Sequence, residues 1–266
     1  MTIDTHEILE KKRLLAKEFI DAKLITPFNM AVFFFGQQRA IQYANNTQEP
    51  CFWIQATDSP PNWYAADFNA TEMADKRKNW LTYHARKTEG ILSLLLCCKG
   101  MPFRVTDNNG HEFKEYGIYK AATCILKSWE FDPKDEERAA TNTEKFFVLQ
   151  HLPKVLFVEM QTPMIKQYPG LPKNWFPVRP QTRIWMLDSD GQIDIARKGF
   201  TLVPNFSTTV DSATGQTLDA AIADLGHEMN PASQPAAMKG YIAMCHFSIV
   251  ARLNFKKEKK TKMTKN

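Results

Sequence analysis

Short apolar segments separated by turn-forming residues are the feature that most constrains the fold of this chain of 266 residues. Between residues 91 and 160 they read ILSLLLCC, PFRV, AATCILKSWEF and FFVLQHLPKVLFVEM. Runs of this kind, rich in Val, Ile and Phe, are typical of strands. Because they do not alternate regularly with helical patterns, they favour α+β over a parallel βαβ sheet. We therefore predict a mixed, mainly antiparallel sheet with flanking helices.

Spacing of apolar residues predicts the individual elements. Residues 5–24 and TLDAAIADLGHEM at 217–229 show helical spacing, and each is predicted to be a helix. NMAVFFFGQQ at 29–38 is predicted to be a buried strand, although its periodicity also allows a helix. DPKDEERAATNTEK at 132–145 has no apolar period, so it is predicted to be an exposed loop or a short helix.

Turn residues predict how the strands connect. Residues 51–56 form a predicted strand that leads into a Pro-Pro loop. Asp107-Asn108-Asn109-Gly110 predicts a hairpin turn between PFRVT and HEFKEY. Residues 182–204 are predicted to form a hairpin or meander with Ser189-Asp190-Gly191 at its turn.

Proline and charge patterns predict the domain organisation. QYPGLPKNWFPVRPQ at 167–181 has four prolines and no periodicity, as expected of a linker. It predicts an N-terminal unit at 1–172, a C-terminal α+β unit at 173–255, and a tail at 256–266. We expect this tail to be disordered because it has too little apolar surface to bury.

The tail carries the whole excess of positive charge. It holds six lysines and one glutamate; removing them from the 34 Lys and Arg and 29 Asp and Glu of the chain leaves 28 of each. A basic tail contacts a polyanion or an acidic protein such as a polymerase, or serves solubility alone. The lysines concerned are Lys256, Lys257, Lys259, Lys260, Lys262 and Lys265.

Several protein classes are disfavoured by what the sequence lacks. It has no run of 18 apolar residues and no secretory h-region at its start, so we expect a cytoplasmic protein without a membrane partner. Its five cysteines form no CxxC pair, and their odd number argues against a disulfide framework.

No catalytic motif is present, so we expect neither enzymatic activity nor a cofactor. GxSxG, GxxxxGK[ST] and GxGxxG are all absent. His227-Glu228 begins like the zinc motif HExxH, but Pro231 takes the place of the second histidine and His246 is too distant to replace it. The prediction is therefore that no metal is bound, with a zinc-dependent peptidase or other metal hydrolase kept as an alternative.

Aromatic and basic residues supply the main functional signal. Rings in polar, basic or Pro-bearing surroundings can stack on the bases of single-stranded nucleic acid while Lys and Arg contact its phosphates. Such rings are Trp63, Tyr64, Trp80, Tyr83, Tyr168 and Trp175. The predicted nucleic-acid-binding residues are Trp63, Tyr64, Lys76, Arg77, Lys78, Tyr83, Arg86, Lys87 and Lys99.

The stretch RKNWLTYHARKTEG at 77–90 concentrates this signal. Thr82 is a suitable N-cap and Gly90 a suitable C′ residue, so a two-turn helix is predicted at 83–89. On it, Tyr83 and Lys87 share a face. Trp80 and Leu81 are expected to point inward, and Tyr83, Arg86 and Lys87 outward.

Residues 60–172 resemble the N-terminal single-stranded-DNA-binding domain of ArdC-type antirestriction proteins, which is shared with TraC-type primases. The motifs are Asn62, Tyr64 and Asn69, then Trp80-Leu81-Thr82-Tyr83-His84-Ala85, then Gly90, Lys99-Gly100 and Gly170-Leu171-Pro172. Ala66 and Cys97-Cys98 depart from the family pattern. A zinc metalloprotease domain follows in that family, so the resemblance implies a decayed version in the C-terminal unit.

These observations predict a non-enzymatic single-stranded-DNA-binding protein of a phage or plasmid, acting in replication, recombination or transcription. In size and basic C-terminus the chain also resembles some phage single-stranded-DNA-binding proteins. The expected partners are single-stranded DNA and, through the tail, a polymerase. A protein-binding coactivator or inhibitor module is a further alternative.

Overall fold

The computed structural model describes residues 22–106, 111–187, 193–213 and 221–223. The helices are α1 Asn29–Asn46, α2 Asn62–Ala66, α3 Ala70–Trp80, α4 His111–Glu115, α5 Pro133–Thr141 and α6 Val210–Ala213. The strands are β1 Lys23–Thr26, β2 Cys51–Gln55, β3 Thr57–Ser59, β4 Leu94–Cys98, β5 Pro102–Val105, β6 Thr123–Glu130, β7 Phe146–Val148, β8 Val155–Met160, β9 Trp175–Val178, β10 Gln181–Met186, β11 Asp194–Gly199, β12 Leu202–Pro204, β13 Ser207–Thr209 and β14 Ala221–Ala223.

The strands form four sheets. The largest has the order β12-β5-β6-β8-β9 and is antiparallel throughout. A second sheet, β10-β11-β3, is also antiparallel, and in β4-β2-β7 the β2–β4 pair is antiparallel while β2–β7 is parallel. The small sheet β13-β1-β14 is parallel. The predicted α+β class with a mainly antiparallel sheet arrangement is confirmed.

The main core lies between the five-stranded sheet, the sheet β4-β2-β7 and α1. Phe52, Leu96, Phe103, Leu126 and Leu156 are among its fully buried side chains. A separate buried cluster lies outside it and is rich in aromatic rings. This division matters because the second cluster contains several of the residues that the sequence predicts to bind nucleic acid.

The predicted strand at 29–38 is wrong, because these residues begin helix α1. The buried residues of α1 are Gly36, Ala40 and Ala44, spaced four apart, so one helical face is made of small residues. At Gly36 an added Cβ would lie 2.9 Å from Ser207 Oγ, which donates a hydrogen bond to the carbonyl of Val32. Glycine therefore allows α1 to lie close to β13.

Three other local predictions are corrected. HEFKEY is not a strand, since His111–Glu115 form helix α4; the turn at 107–110 lies outside the described residues. Residues 221–223, predicted to be helical, form β14 beside β1, and residues 23–24 of the first predicted helix belong to β1. In each case pairing with a distant strand, or packing on the core, overrides a local apolar pattern.

Other predictions are confirmed. The strand at 51–56 is β2, and residues 182–204 contain the antiparallel pair β10 and β11, although the turn at 189–191 lies outside the described residues. The short helix at 132–145 is α5. It starts where Asp132 accepts a hydrogen bond from the N–H of Lys134 and Pro133 occupies the first turn.

Strands on both sides of the predicted boundary at residue 172 share sheets. β9 and β12 join the five-stranded sheet, and β11 pairs with β3. The division into units at 1–172 and 173–255 stays a prediction, and the tail at 256–266 lies outside the described residues. Within the described ranges, no helix combines the length and apolar character that a membrane crossing requires.

Candidate nucleic-acid interface

Helix α3 carries three of the predicted cations. It begins with a capping box, in which Asn69 accepts from the N–H of Glu72 and the Glu72 carboxylate accepts from the N–H of Asn69. Lys76, Arg77 and Lys78 follow in its second half, with Arg77 and Lys78 exposed. Lys78 forms a surface ion pair with Asp75 at 3.3 Å, a contact of small energetic weight.

A buried ion pair fixes the end of α3. Arg197 donates two hydrogen bonds of 2.7 Å to the carboxylate of Asp58, and its side chain is fully buried. Its remaining N–H groups donate to Ser93 Oγ at 2.7 Å and to the carbonyl of Trp80 at 3.2 Å. The Ser93 hydroxyl donates to the same carbonyl at 2.9 Å. These contacts determine where the chain leaves the helix.

Five rings pack around this point, and we call Tyr64, Phe68, Trp80, Tyr83 and Trp185 the aromatic cluster. Trp185 meets Trp80 at 6.0 Å and Tyr83 at 5.4 Å between ring centroids, both edge to face. Tyr64 meets Phe68 at 5.0 Å in the same manner. Trp80 is buried, as predicted, and Arg197 lies 5.3 Å from the ring centroid of Trp185.

Two predicted cations cover rings of the aromatic cluster. Lys76 Nζ lies 4.1 Å from the ring centroid of Phe68 and 5.7 Å from that of Tyr64. Lys87 Nζ lies 3.9 Å from the ring centroid of Tyr83. Both are cation–π contacts, worth about 0.5–1 kcal/mol at exposed positions.

The rings differ in exposure. Trp63, which meets the edge of Tyr64 at 6.0 Å, is 60% exposed. Tyr64 is only 7% exposed, so the expectation that its ring is open for stacking is wrong. Tyr83 is half-buried. Tyr64 belongs to a buried cluster that includes Met73 and Trp80, whereas the preceding residue, Trp63, lies outside that cluster.

The predicted helix at 83–89 is wrong, because residues 81–90 form consecutive turns. Backbone bonds run three residues back, for example from Tyr83 to Trp80 and from Lys87 to His84. The Thr82 hydroxyl donates backwards to the carbonyl of Asn79, so it does not cap a following helix. Gly90 ends the segment with φ 86°, which a side chain would disfavour.

A cleft of about 580 Å³ adjoins this segment. Its walls come from the start of α1, residues 84–92, β5, β12 and residues 207–212, with apolar contributions from Phe33 and Leu92 among others. Charged residues line it as well: Arg86, Arg104, Lys120, Glu89 and Asp211. Of these, Arg104 is half-buried and the other four are exposed.

Arg104 is the unusual group of this cleft. Its guanidinium donates a hydrogen bond to Thr208 Oγ1, and within the described ranges it forms no ion pair with a carboxylate. Burial lowers the pKa of Arg104 to about 10. Burial and then the charge of Arg104 lower the pKa of the neighbouring Lys23 to about 8. Two cations, Arg104 and Lys23, therefore lie close to each other at this side of the cleft.

His84 adds a neutral ring to the cleft wall. Burial, followed by the charges of Lys87 and Arg86, lowers the pKa of His84 below its usual range. Its imidazole is thus uncharged near pH 7, and its Nδ1 can accept from the N–H of Lys87 at 3.3 Å.

The structure brings most, but not all, of the predicted residues together. Trp63, Tyr64, Lys76, Tyr83 and Lys87 lie at or around the aromatic cluster, and Arg86 lines the cleft. Arg77 and Lys78 share the end of α3.

Lys99 lies apart from these residues. It follows β4, whereas Ser93 precedes this strand; at the usual strand rise the two lie roughly 20 Å apart. Tyr168 stacks on Tyr116 at 5.1 Å, and Trp175 is half-buried in β9. The tail lysines lie outside the described residues.

Sequence reasoning missed Arg104, Lys120 and two exposed rings, Phe34 and Tyr119, which neighbour cleft residues in the chain. One signal was available for Arg104: it is a lone cation within the short apolar strand PFRV. For the others, the recess becomes visible only when α1, β5 and residues 84–92 are placed together.

Metal and thiol chemistry find no support in the described residues. No group of three His, Cys, Asp or Glu there could hold a metal ion, and His227 and His246 fall outside the described ranges. Cys51, Cys97, Cys98 and Cys124 are buried free thiols. Burial raises the pKa of Cys124 to about 12 and that of Cys97 well above its usual range, so these thiols stay protonated.

Comparison with known proteins gives only a structural likeness. No protein-family model and no curated protein match the chain. A crystal structure of Pif1 helicase from Candida albicans has a TM-score of 0.47 at 14% identity, over 87% of this chain and 47% of that one. Bacteroides Pif1 bound to ssDNA has a TM-score of 0.43 at 12% identity, over 84% of this chain and 38% of that one. The chain thus spans less than half of these structures, and likeness at this level does not identify a shared activity.

Proposed function

We propose that this protein binds single-stranded DNA without catalysing a reaction. The observation that carries the proposal is the position of residues 81–90, which run from the aromatic cluster at Tyr83 to the cleft at Arg86. The rings of Trp63 and Tyr83 and the cations Lys76, Arg86 and Lys87 lie around or beside the aromatic cluster, and together they form the proposed binding surface. This combination suits a strand whose bases stack while its phosphates contact Lys and Arg.

Trp63 offers the largest free ring on this surface. It is 60% exposed at the edge of the aromatic cluster, close to Lys76 through their shared contacts with Tyr64. Stacking on such a ring is worth about 1–3 kcal/mol per base. Trp63 is therefore the principal stacking residue of the proposal.

Tyr83 contributes through an exchange with Lys87. A cation–π contact of about 0.5–1 kcal/mol holds the lysine over the ring. A stacked base is worth about 1–3 kcal/mol, so it can displace the ammonium group, which then contacts the adjacent phosphate. The covered ring of Tyr83 is thus compatible with binding, at a small cost.

The biological setting is part of the same proposal. The resemblance to ArdC-type and TraC-type domains includes Trp80-Leu81-Thr82-Tyr83, the entry to this surface. It supports a phage or plasmid protein acting in replication, recombination or transcription. The basic tail at 256–266 would contact DNA or a polymerase.

The test uses fluorescence anisotropy with a labelled oligo-dT at two salt concentrations. If all five cations at positions 76–78, 86 and 87 contact phosphates, log Kd should rise with log salt with a slope of roughly 3.5. Trp63→Ala should weaken binding about 5- to 150-fold, from the loss of one stacked base. Val148→Ala, at an exposed apolar residue of β7, is the matched control.

Absence of binding at low salt would overturn the proposal. Equal affinities of the Trp63→Ala and Val148→Ala proteins would instead reject this surface as the site. Deletion of residues 256–266 separates the two roles of the tail: weaker oligo-dT binding indicates a DNA contact, whereas unchanged binding with lost transcription or replication activity indicates a protein contact.

A further inference from the structure

We propose that the cleft lined by Arg104 is a binding site for a terminal phosphate group on a ligand of nucleotide size. The site is distinct from the stacking surface at Trp63, and the proposal does not require that oligo-dT binds there. The phosphate could belong to a free nucleotide or to the end of a DNA strand, and the experiment below separates these two sources.

Among the residues that the structure describes, Arg104 has an incomplete set of hydrogen-bond partners. A guanidinium has five N–H donors, and within the described residues one bond, to the Thr208 hydroxyl, satisfies part of them. A cation withdrawn from water without an opposite charge is energetically unfavourable unless it gains one. A phosphate offers two oxygens in the geometry that a guanidinium binds best.

A second cation, Lys23, lies close to Arg104. Lys23 is buried and donates to Asn205 Oδ1 at 2.8 Å, so it also has a neutral partner there. Its pKa is depressed by burial and by Arg104, which means that both positive charges are felt at one location. An anion beside Arg104 relieves this repulsion for both groups.

The cleft has a size and a lining that suit a ligand as large as a nucleotide. A volume of about 580 Å³ lies within the usual range of small-molecule sites. Phe33, Val32 and Leu92 provide apolar surface for a sugar or a base. Asn29, the first residue of the long helix α1, also lines the cleft, so the positive end of its dipole adds to the potential.

The charges of the rim favour one terminal phosphate over a continuous strand. Glu89 and Asp211 line the cleft alongside Arg86 and Lys120, so the exposed lining carries equal numbers of opposite charges. The net attraction is therefore concentrated at the half-buried Arg104. A terminal group can enter to this depth, whereas a passing backbone would bring several phosphates near the two carboxylates.

The experiment compares dTMP with thymidine by isothermal titration calorimetry on the full chain. We expect dTMP to bind and thymidine to bind at least about tenfold more weakly, since only dTMP offers a charged acceptor to Arg104. Arg104→Met should weaken dTMP binding about 10- to 100-fold. The affinity of Arg104→Lys for dTMP should lie between those of wild type and Arg104→Met, because lysine keeps the charge but loses the forked geometry of the guanidinium.

Lys134→Met is the matched control, because Lys134 is an exposed cation of α5 outside the cleft. Thermal melting of each variant checks that it is folded. If Arg104→Met does not fold, the test is made with Arg104→Lys. Equal binding of dTMP and thymidine would overturn the proposal. So would unchanged dTMP binding by folded Arg104 variants.

A second arm identifies the source of the phosphate. Oligo-dT with a 5′-phosphate is compared with the same strand ending in a 5′-hydroxyl, in wild type and Arg104→Met. A gain from the 5′-phosphate that disappears in Arg104→Met supports the strand end; dTMP binding without such a gain supports the free nucleotide. Binding of the 5′-hydroxyl strand involves no terminal phosphate and therefore reports on the proposed function, so each proposal can fail independently.

Discussion

Arg197 and Arg104 are both withdrawn from water, but their surroundings differ in kind. Arg197 is fully buried, faces the Asp58 carboxylate with two bonds of 2.7 Å, and also donates to Ser93 and the Trp80 carbonyl. Arg104 is half-buried, donates to the Thr208 hydroxyl, and lies near a second cation, Lys23. A cation whose donors are satisfied by the fold stabilises that fold. One whose charge is left unmatched is a candidate for binding something else.

The largest effect on stability is expected from replacing Arg197, the arginine that is paired with a carboxylate. Arg197→Met leaves the Asp58 carboxylate buried without its partner, and it should lower the free energy of unfolding by about 3–5 kcal/mol. Urea denaturation followed by tryptophan fluorescence measures this loss. The double variant Arg197→Met with Asp58→Leu should recover part of it, because no buried charge remains.

A loss below about 1 kcal/mol in Arg197→Met would mean that this pair contributes no more than a surface ion pair. Since Arg197 also holds the Trp80 carbonyl, this variant should weaken oligo-dT binding as well, through displacement of residues 81–90. Unchanged oligo-dT affinity would contradict the positioning role of Arg197.

A buried carboxylate extends the comparison to acidic pH. Burial by itself raises the pKa of Asp135, but hydrogen bonds from the N–H groups of Gln150 and His151 and from Arg138 outweigh it, so the pKa is lowered. A lowered pKa in the folded state means that the stabilisation is complete above the usual Asp value and is lost as pH falls through the folded pKa.

Asp135→Asn should therefore cost about 2 kcal/mol at pH 7, the range for hydrogen bonds to a charged group. The difference in unfolding free energy between wild type and Asp135→Asn should shrink below about pH 4, where the carboxyl of the unfolded chain becomes protonated. Urea denaturation at pH 7, 4 and 3 measures it. A difference that does not depend on pH would assign the role of Asp135 to shape rather than charge.

The smallest effect on stability is expected from replacing Arg104, which forms no ion pair with a carboxylate within the described residues. Arg104→Met removes a desolvated cation that repels Lys23, so it should change stability at pH 7 by no more than about 1 kcal/mol, in the stabilising direction. A loss of several kcal/mol would contradict the comparison, because Arg104 would then be as structural as Arg197.

Lys23 provides an internal measure of the same repulsion. Its pKa of about 8 lies below the value of an unfolded chain, so the unfolded state binds more protons between these two values and stability rises with pH there. The difference in unfolding free energy between wild type and Lys23→Met, measured from pH 8 to 10, separates this rise in stability from the titration of the cysteines. In an Arg104→Met background the rise should be smaller, since only burial then lowers the pKa of Lys23.

The elements predicted correctly are those whose signals are local. Residues 51–54 are a short apolar run and begin β2, Asp132 and Pro133 start α5, and residues 181–199 contain the antiparallel pair β10 and β11. The failures share a cause in distant contacts. Residues 29–38 are helical because Gly36, Ala40 and Ala44 pack against other elements, and residues 221–223 pair with β1. Residues 83–89 form turns because the buried Arg197 and Ser93 fix the carbonyl that precedes them.

The sequence by itself determined the α+β class and the concentration of rings and cations at 76–87, since apolar spacing and composition are properties of neighbouring residues. Only the tertiary structure decided which rings are exposed, because the exposure of Trp63 and the burial of Tyr64 depend on where α2 packs. It also decided that Arg197 faces the Asp58 carboxylate, whereas Arg104 faces only the Thr208 hydroxyl within the described residues. Whether a buried cation finds a carboxylate depends on residues more than 100 positions away, such as Asp58 for Arg197.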